Sequence, residues 1–461
     1  MVFAMACLEV FRSTCVCLCV LLPSISLCSE EIVNFLINPS IVSATSISHV
    51  CIHNTHHDSS PPLKLDELVQ EVVSRNPNLQ AAQQRIQAAE LAALRAEVLS
   101  DPMVTIMSDQ NQFRTPSDFT PMMKYELAQL IPFPGKLHLK GKIAEQTVAL
   151  KRSEEITTLR ELILKTKKLY FELYFNQVAS QINAKNQEIV SNIISDAMAL
   201  YKAGTAGFEE VLKAQTEKQG LNEQLVMLEA EHESIKAMLR AILNQPSTYP
   251  LGDAEEHWSS ECHFNYTTLE NIALETRSEL QGMQAMVDEQ HFMAELAKRE
   301  FFPDVTVSVG YERMNNRFMG KTDSAWTASI SFNVPIWIEQ RQLREVHEAE
   351  RLAQANSDAL EGMKAMIKSD IRQITAKIQS ANERIAIYES GLLSKSEETL
   401  ATAESKYRAD RGNFFILLDS QRQLKNVELG YMKAKVEKEI LLAELERAVG
   451  MALKEISCTG K

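Results

Sequence analysis

The sequence predicts a mainly α chain carrying transmembrane β-strands, with one helix–hairpin–helix plan written twice. Three features point there: a duplication at an offset slightly above 200 residues, two pairs of short alternating strands, and two helical runs of 65 to 69 residues. The duplication covers about Leu65 to Asn244 and again about Leu269 to Gly450. Asp101-Pro-Met-Val-Thr-Ile106 answers Phe302-Pro-Asp-Val-Thr-Val307, so Pro102 aligns with Pro303 and each breaks a helical pattern at the same place. Leu130-Ile-Pro-Phe-Pro134 answers Asn333-Val-Pro-Ile-Trp337, and the stretch from Tyr201 to Phe208 answers that from Tyr407 to Phe414, followed by Gln215 against Gln421. The offset drifts from 201 to 203 to 206, as small loop insertions would make it do. Such a period is too long for a solenoid unit, so the halves read as two pseudo-equivalent parts of one domain.

Taken in order, residues 1–28 resemble an export signal, with the apolar stretch Cys15 to Leu27 too short to span a bilayer. Ser24-Ile-Ser26 offers a small-residue cleavage site; Cys28 is the alternative point of lipid attachment, with Leu27 standing where a small residue is wanted. Residues 29–62 form a polar, extended lead-in. The first structural repeat then runs over 63–250, with a helix from Asp66 to Leu99 interrupted at Pro77 and strands within about 103–131. A linker at 251–267 precedes the second repeat, 268–452, with strands within about 305–332, and 453–461 are a C-terminal tail.

The strands alternate. Val305, Val307, Val309 and Tyr311 share one face of their strand, with Thr306, Ser308 and Gly310 on the other, and Trp326, Ala328, Ile330 and Phe332 alternate with Thr327, Ser329 and Ser331. Apolar-out and polar-in alternation over about ten residues suits a barrel strand in a bilayer. The long helices run from Lys136 to Leu200 and from Glu339 to Tyr407, each about 100 Å at 1.5 Å per residue. In the second, Ile367, Ile371, Ile374, Ile378, Ala381, Ile385, Tyr388 and Leu392 recur at alternating spacings of four and three, a coiled-coil seam. The shorter helices, Asp66 to Leu99 and Phe208 to Leu243, together match one long helix, which predicts that they stack end to end beside it. Four strands cannot close a lipid-facing barrel, since known ones have about eight or more, so the chain must oligomerise.

Composition narrows the function. Lys and Arg number 48 against 61 Asp and Glu, and the net charge of −13 argues against nucleic acid as a partner. No P-loop, metalloprotease helix or nucleophile elbow is present, so the chain reads as no enzyme and as needing no cofactor. His49, Cys51, His53, His56 and His57 crowd soft-metal ligands into nine residues, but a short tract of this kind reads first as a lead-in rather than a metal site.

The duplicated plan, the prolines at the strand ends, and the paired tip motifs Tyr201-Lys-Ala-Gly204 and Tyr407-Arg-Ala-Asp410 leading to Gln215 and Gln421 together resemble the TolC family of outer-membrane efflux proteins. Ile131-Pro-Phe-Pro-Gly-Lys136 is similar to the corresponding segment of that family's cobalt-zinc-cadmium and copper-silver branch. The resemblance implies a homotrimer with a 12-stranded β-barrel in the outer-membrane lipid, continuous with a periplasmic α-helical barrel. It implies the outer-membrane channel of a tripartite efflux system, a passive conduit served by an inner-membrane pump and a periplasmic adaptor (membrane fusion) protein, with metal cations among the candidate substrates. It also places Asp419 at the aperture of a periplasmic gate, with Tyr407, Arg408, Asp410 and Arg411 beside it and Glu209 and Glu210 as expected ion-pair partners. Pro132, Pro134, Gly135 and Pro335 form strand–helix corners. An exported coiled-coil scaffold or adaptor without a pore is the alternative.

Overall fold

The computed structural model describes residues 61–109, 122–259, 266–316, 321–409 and 411–453. The His-rich tract 49–57, Cys28 and Asp410 lie outside them. In the first half the order is α1 (Leu65–Arg75), α2 (Pro77–Ala96), β1 (Met103–Asp109), β2 (Met122–Ile131), α3 (Lys136–Ala203) and α4 (Phe208–Ile242). The second half repeats it as α5 (Tyr266–Thr276), α6 (Ser278–Arg299), β3 (Val305–Asn316), β4 (Lys321–Phe332), α7 (Gln342–Ile387), α8 (Leu393–Arg408) and α9 (Phe414–Val449).

Pro77 does more than interrupt a helix. It starts α2 at the position where a missing N–H costs nothing, and the Asn76 side chain caps that start by accepting from the Asn78 N–H at 2.9 Å. The same amide donates to the Ile242 carbonyl at 2.8 Å, so the cap that begins α2 also satisfies the end of α4. In the second half Thr276 does the equivalent work, donating to the Val449 carbonyl at 2.7 Å. The short helices thus meet end to end alongside α3 and α7. Around the first junction residue Leu63 pairs with Ala254, and the Tyr170 hydroxyl donates to both the Leu63 and Glu255 carbonyls. Burial pushes the Tyr170 phenol up to about 12, so it stays a donor at neutral pH.

The helix expected from Glu339 to Tyr407 differs from the structure at two places. It begins at Gln342, because position 338 is Ile338 rather than a counterpart of Gly135. The first corner turns sharply through Gly135 at φ 91°, a left-handed conformation favouring glycine; the second instead takes a turn in which the Gln340 and Arg341 N–H groups donate to the Trp337 carbonyl. A π-helical turn, Tyr388–Leu392, also divides α7 from α8, with Gly391 at φ 151°. Gly362 leaves α7 intact.

Near the sheet the helices pack in the order α2, α3, α6, α7; in the half away from it the order is α4, α3, α9, α8. That is a wall one helix thick with two edges. Its core lies in three clusters along the length. One surrounds Tyr170, Phe171 and Leu173, one gathers Ile367, Ile371 and Ile378 with Leu441 and Leu445, and one at the far tip gathers Val211, Tyr407, Phe414 and Leu417.

The strands form one antiparallel sheet, ordered β1-β2-β3-β4. β2 and β3 join the two halves, so β1 and β4 are both left as edges. Register puts Val104, Ile106, Tyr125, Leu127, Ile131, Val305, Val307, Val309, Tyr311, Trp326, Ile330 and Phe332 on one face. That face is open, with Trp326 77% and Ile330 71% exposed, whereas Ser308 and Ala128 on the polar face are 5% and 7% exposed. The apolar face is thus open over most of its area, whereas the polar face is closed at its centre around Ser308 and Ala128. No helix among the described residues is long and apolar enough to cross a membrane.

Candidate functional site

Three parts of the chain carry the features of a conduit: the polar face of the sheet, the corner joining sheet to helices, and the helical tip.

On the polar face, Lys124 lies 3.0 Å from the Glu126 carboxylate and 3.7 Å from that of Glu312 across the β2–β3 pair. Ser308 and Ser329 share a hydrogen bond of 2.7 Å, with Thr306, Gly310 and Thr327 beside them. Methionines fall on both faces: Met103 and Met107 are on the polar one, and Met123 is on the apolar one with Tyr125.

At the corner, Lys136 is the centre. Its side chain is 2% exposed and donates to Glu300 at 3.0 Å, to Asp304 at 2.8 Å and to the Phe302 carbonyl at 3.3 Å. Asp304 also accepts from the Phe133 N–H at 2.7 Å, while Phe133 and Phe302 stack with centroids 4.5 Å apart. Arg299 donates to the Pro134 carbonyl, and Pro132 and Pro134 hold the chain between strand and helix. Burial alone would lower the Lys136 pKa, but the two carboxylates outweigh it and hold it above its ordinary value. Burial alone would likewise raise Asp304, which Lys136 and the Phe133 N–H instead hold below the usual carboxylate range. The second corner, at half-buried Pro335, is fastened by Asn333, whose side-chain oxygen accepts from the Asp304 N–H at 2.6 Å. Lys136 stands in the sequence motif, but Asp304 and Glu300 have no spacing that ties them to it; only the fold brings them together.

At the tip, Tyr407 is 3% exposed, packs on Phe414 and donates its hydroxyl to Glu210 at 2.6 Å. Arg408 pairs with Asp196 of α3 at 2.7 Å, which holds its guanidinium above its ordinary pKa. The expected pairing of Arg408 with Glu209 or Glu210 is thus replaced: at the tip Arg408 reaches Asp196 on α3, and Glu210 is taken by Tyr407. Glu209 sits in the first turn of α4, where the helix dipole favours an acid. Arg411 closes the turn with its N–H donating to the Lys406 carbonyl and lines a cleft of about 700 Å³ with Lys395, Lys406, Asn413 and Ile416. Asp419 is exposed on α9 and its charge acts on Arg422, whose main partner is Glu217 at 2.9 Å. Asp196, Glu217 and Arg422 escaped the sequence reading, since charges on a solvated helix give no signal of their partners.

The two copies of the tip differ in burial. Tyr201, Phe208 and Leu212 are 44%, 45% and 48% exposed, whereas their counterparts Tyr407, Phe414 and Leu418 are 3%, 2% and 5% exposed. Gln215 is exposed too, while Gln421 is buried and donates to Asn186 of α3 at 2.8 Å. Within one chain α9 is covered by α3, and the matching face of α4 is not. Among the described residues no group of His, Cys, Asp and Glu side chains could hold a metal ion.

Comparison with known proteins agrees with this geometry. Residues 269–451 match the family described as outer membrane efflux protein. The chain is 20% identical over 378 residues to the cobalt-zinc-cadmium resistance protein CzcC of Cupriavidus metallidurans, covering 81% of this chain and 87% of that protein. Among solved structures it resembles the channel CusC, with a TM-score of 0.72 at 14% identity over 84% of this chain and 92% of the other. It also resembles the Vibrio cholerae outer membrane protein VceC, with a TM-score of 0.70 at 16% identity over 84% and 96% of the two chains. The family's match lies on the second repeat and the first repeat follows the same plan of helices and strand pair, so both halves of the chain resemble the outer membrane efflux proteins.

Proposed function

We propose that the chain works as a homotrimer, the outer-membrane conduit of a tripartite efflux system, passing metal cations delivered by an inner-membrane pump through a periplasmic adaptor. The observation that carries this reading is a sheet with two unpaired edges, one apolar face and one polar face. Pairing β4 of one chain with β1 of the next removes every edge once three chains have met, and it turns the apolar face to lipid and the polar face to a lumen. The helical wall supports the same closure. Its two edges expose Leu91, Leu94, Val226 and Met227 on α2 and α4, and Leu343, Leu352 and Met366 on α7.

An exported scaffold without a pore leaves the open apolar face of the sheet without a purpose. The metal reading draws support from the name of the Cupriavidus relative and from the Ile131–Lys136 corner. In the trimer, three Tyr407–Asp419 segments converge as the gate, with Asp419 at the aperture. Native mass measurement in detergent should give about three times the mass of the mature chain, as closure of a symmetric ring requires. A stable, well-folded monomer would sink the proposal.

A further inference from the structure

We propose that Lys124, Glu126 and Glu312 form an ionic belt inside the β-barrel that selects permeating solutes by charge, a filter separate from the one at the helical tip. This rests on the reading of the chain as a trimeric pore. The belt sits on the polar face, where Lys124 bridges carboxylates of two strands at 3.0 and 3.7 Å. Its side chains are 22% to 30% exposed, so they reach the lumen without being lost in bulk water.

Its height follows from register. Tyr125, Tyr311 and Trp326 lie side by side across β2, β3 and β4 on the apolar face, with Tyr311 and Trp326 5.2 Å apart. One pairing step further on, that face carries Ser108, Arg313 and Ser324 on three strands with Met123 alone on the fourth, so the continuous apolar band ends at this aromatic row. Such a row marks the boundary between hydrocarbon and headgroups. Lys124, Glu126 and Glu312 are the immediate strand neighbours of those aromatics, on the opposite face. The belt therefore rings the lumen at the end of the barrel remote from the helices, and any solute leaving the channel must cross it.

The charge is unequal. On the polar face the described side chains include Lys124 against Glu126, Glu312 and Asp323, which leaves two negative charges per chain and six around a trimer. Carboxylates in a ring favour cations, and Lys124 limits that preference while tying β2 to β3. A structural tie alone would move stability; a filter moves selectivity.

The test is the reversal potential of the purified full-length protein in planar bilayers under a potassium chloride gradient. Lys124→Met should raise the cation-to-anion permeability ratio by about two- to threefold, and Glu312→Gln, which leaves the Lys124–Glu126 pair in place, should lower it by a similar factor. Asp419→Asn serves as the tip comparison, and its effect should add to that of either belt variant. Reversal potentials equal to wild type in both belt variants, at normal conductance, would overturn the belt. So would failure of both to insert as trimers, which would make these residues a structural tie. No channel from the wild-type protein would overturn the pore itself instead.

Discussion

Tyr407→Phe combined with Arg408→Ala is expected to raise the resting conductance of the channel. The first change removes the hydroxyl that donates to Glu210, and the second removes the pair with Asp196. The Arg408 pair is half exposed and contributes little by itself, while the Tyr407 bond is shielded and ends on a carboxylate. Taken together at about 1 kcal/mol per chain, three chains lose about 3 kcal/mol, on the order of a hundredfold in the closed-to-open ratio. Both bonds tie the end of α8 to the tips of α3 and α4, so their loss frees α8 and α9 to swing while the cluster around Leu417 holds the chain folded. Single-channel recording of the wild type and the double variant decides the matter. Equal resting conductance would show that these bonds do not hold the tip shut.

The second large effect is expected at the strand–helix corner. Lys136→Met leaves Glu300 and Asp304 facing a buried apolar side chain, and breaking such a pair from one side costs about 3 kcal/mol. The apparent unfolding temperature in detergent should fall by several degrees, and Lys136→Met with Asp304→Leu should recover part of the loss because no carboxylate is then stranded at the closest contact. The pH dependence follows from the two shifts. Asp304 is held below its ordinary value, so its share of stability is complete above about pH 4 and fades as pH falls through the lowered pKa. Lys136 is held above its ordinary value, so its share is complete below about pH 10 and fades as pH rises through the raised pKa. Wild type should thus lose stability in acid more steeply than Lys136→Met. Identical acid profiles would remove Lys136 from its place at the centre of the corner.

The fold was legible because its signals are periodic. Alternation along Val305 to Tyr311 and Trp326 to Phe332, the spacing of four and three from Ile367 to Leu392, and the prolines repeated at 102 and 303 each follow from backbone geometry. What the sequence concealed was pairing. Lys136 finds Asp304 across 168 residues, Arg408 turns to Asp196 instead of Glu210, and Asn76 caps both its own helix and the end of α4. A side chain's partner across a helical wall depends on rotation and register that composition does not encode. The π-turn at Tyr388–Leu392 was hidden for a related reason, since Gly362 and Gly391 look alike in sequence and only the latter takes up a left-handed conformation.

The unequal burial of the two halves has a genetic consequence. Because α4 leaves Tyr201, Phe208 and Leu212 open while α9 hides their counterparts, each chain of the proposed trimer would depend on its neighbour for one face of the tip and supply the cover for another. A chain that folds but cannot hold the tip still enters the ring. Expressed in equal amounts with the normal chain, it would leave only about one assembly in eight free of the defect, the cube of one half for a three-membered ring. Faults confined to this surface should therefore be dominant, whereas faults that prevent folding, and so never reach a ring, should be recessive.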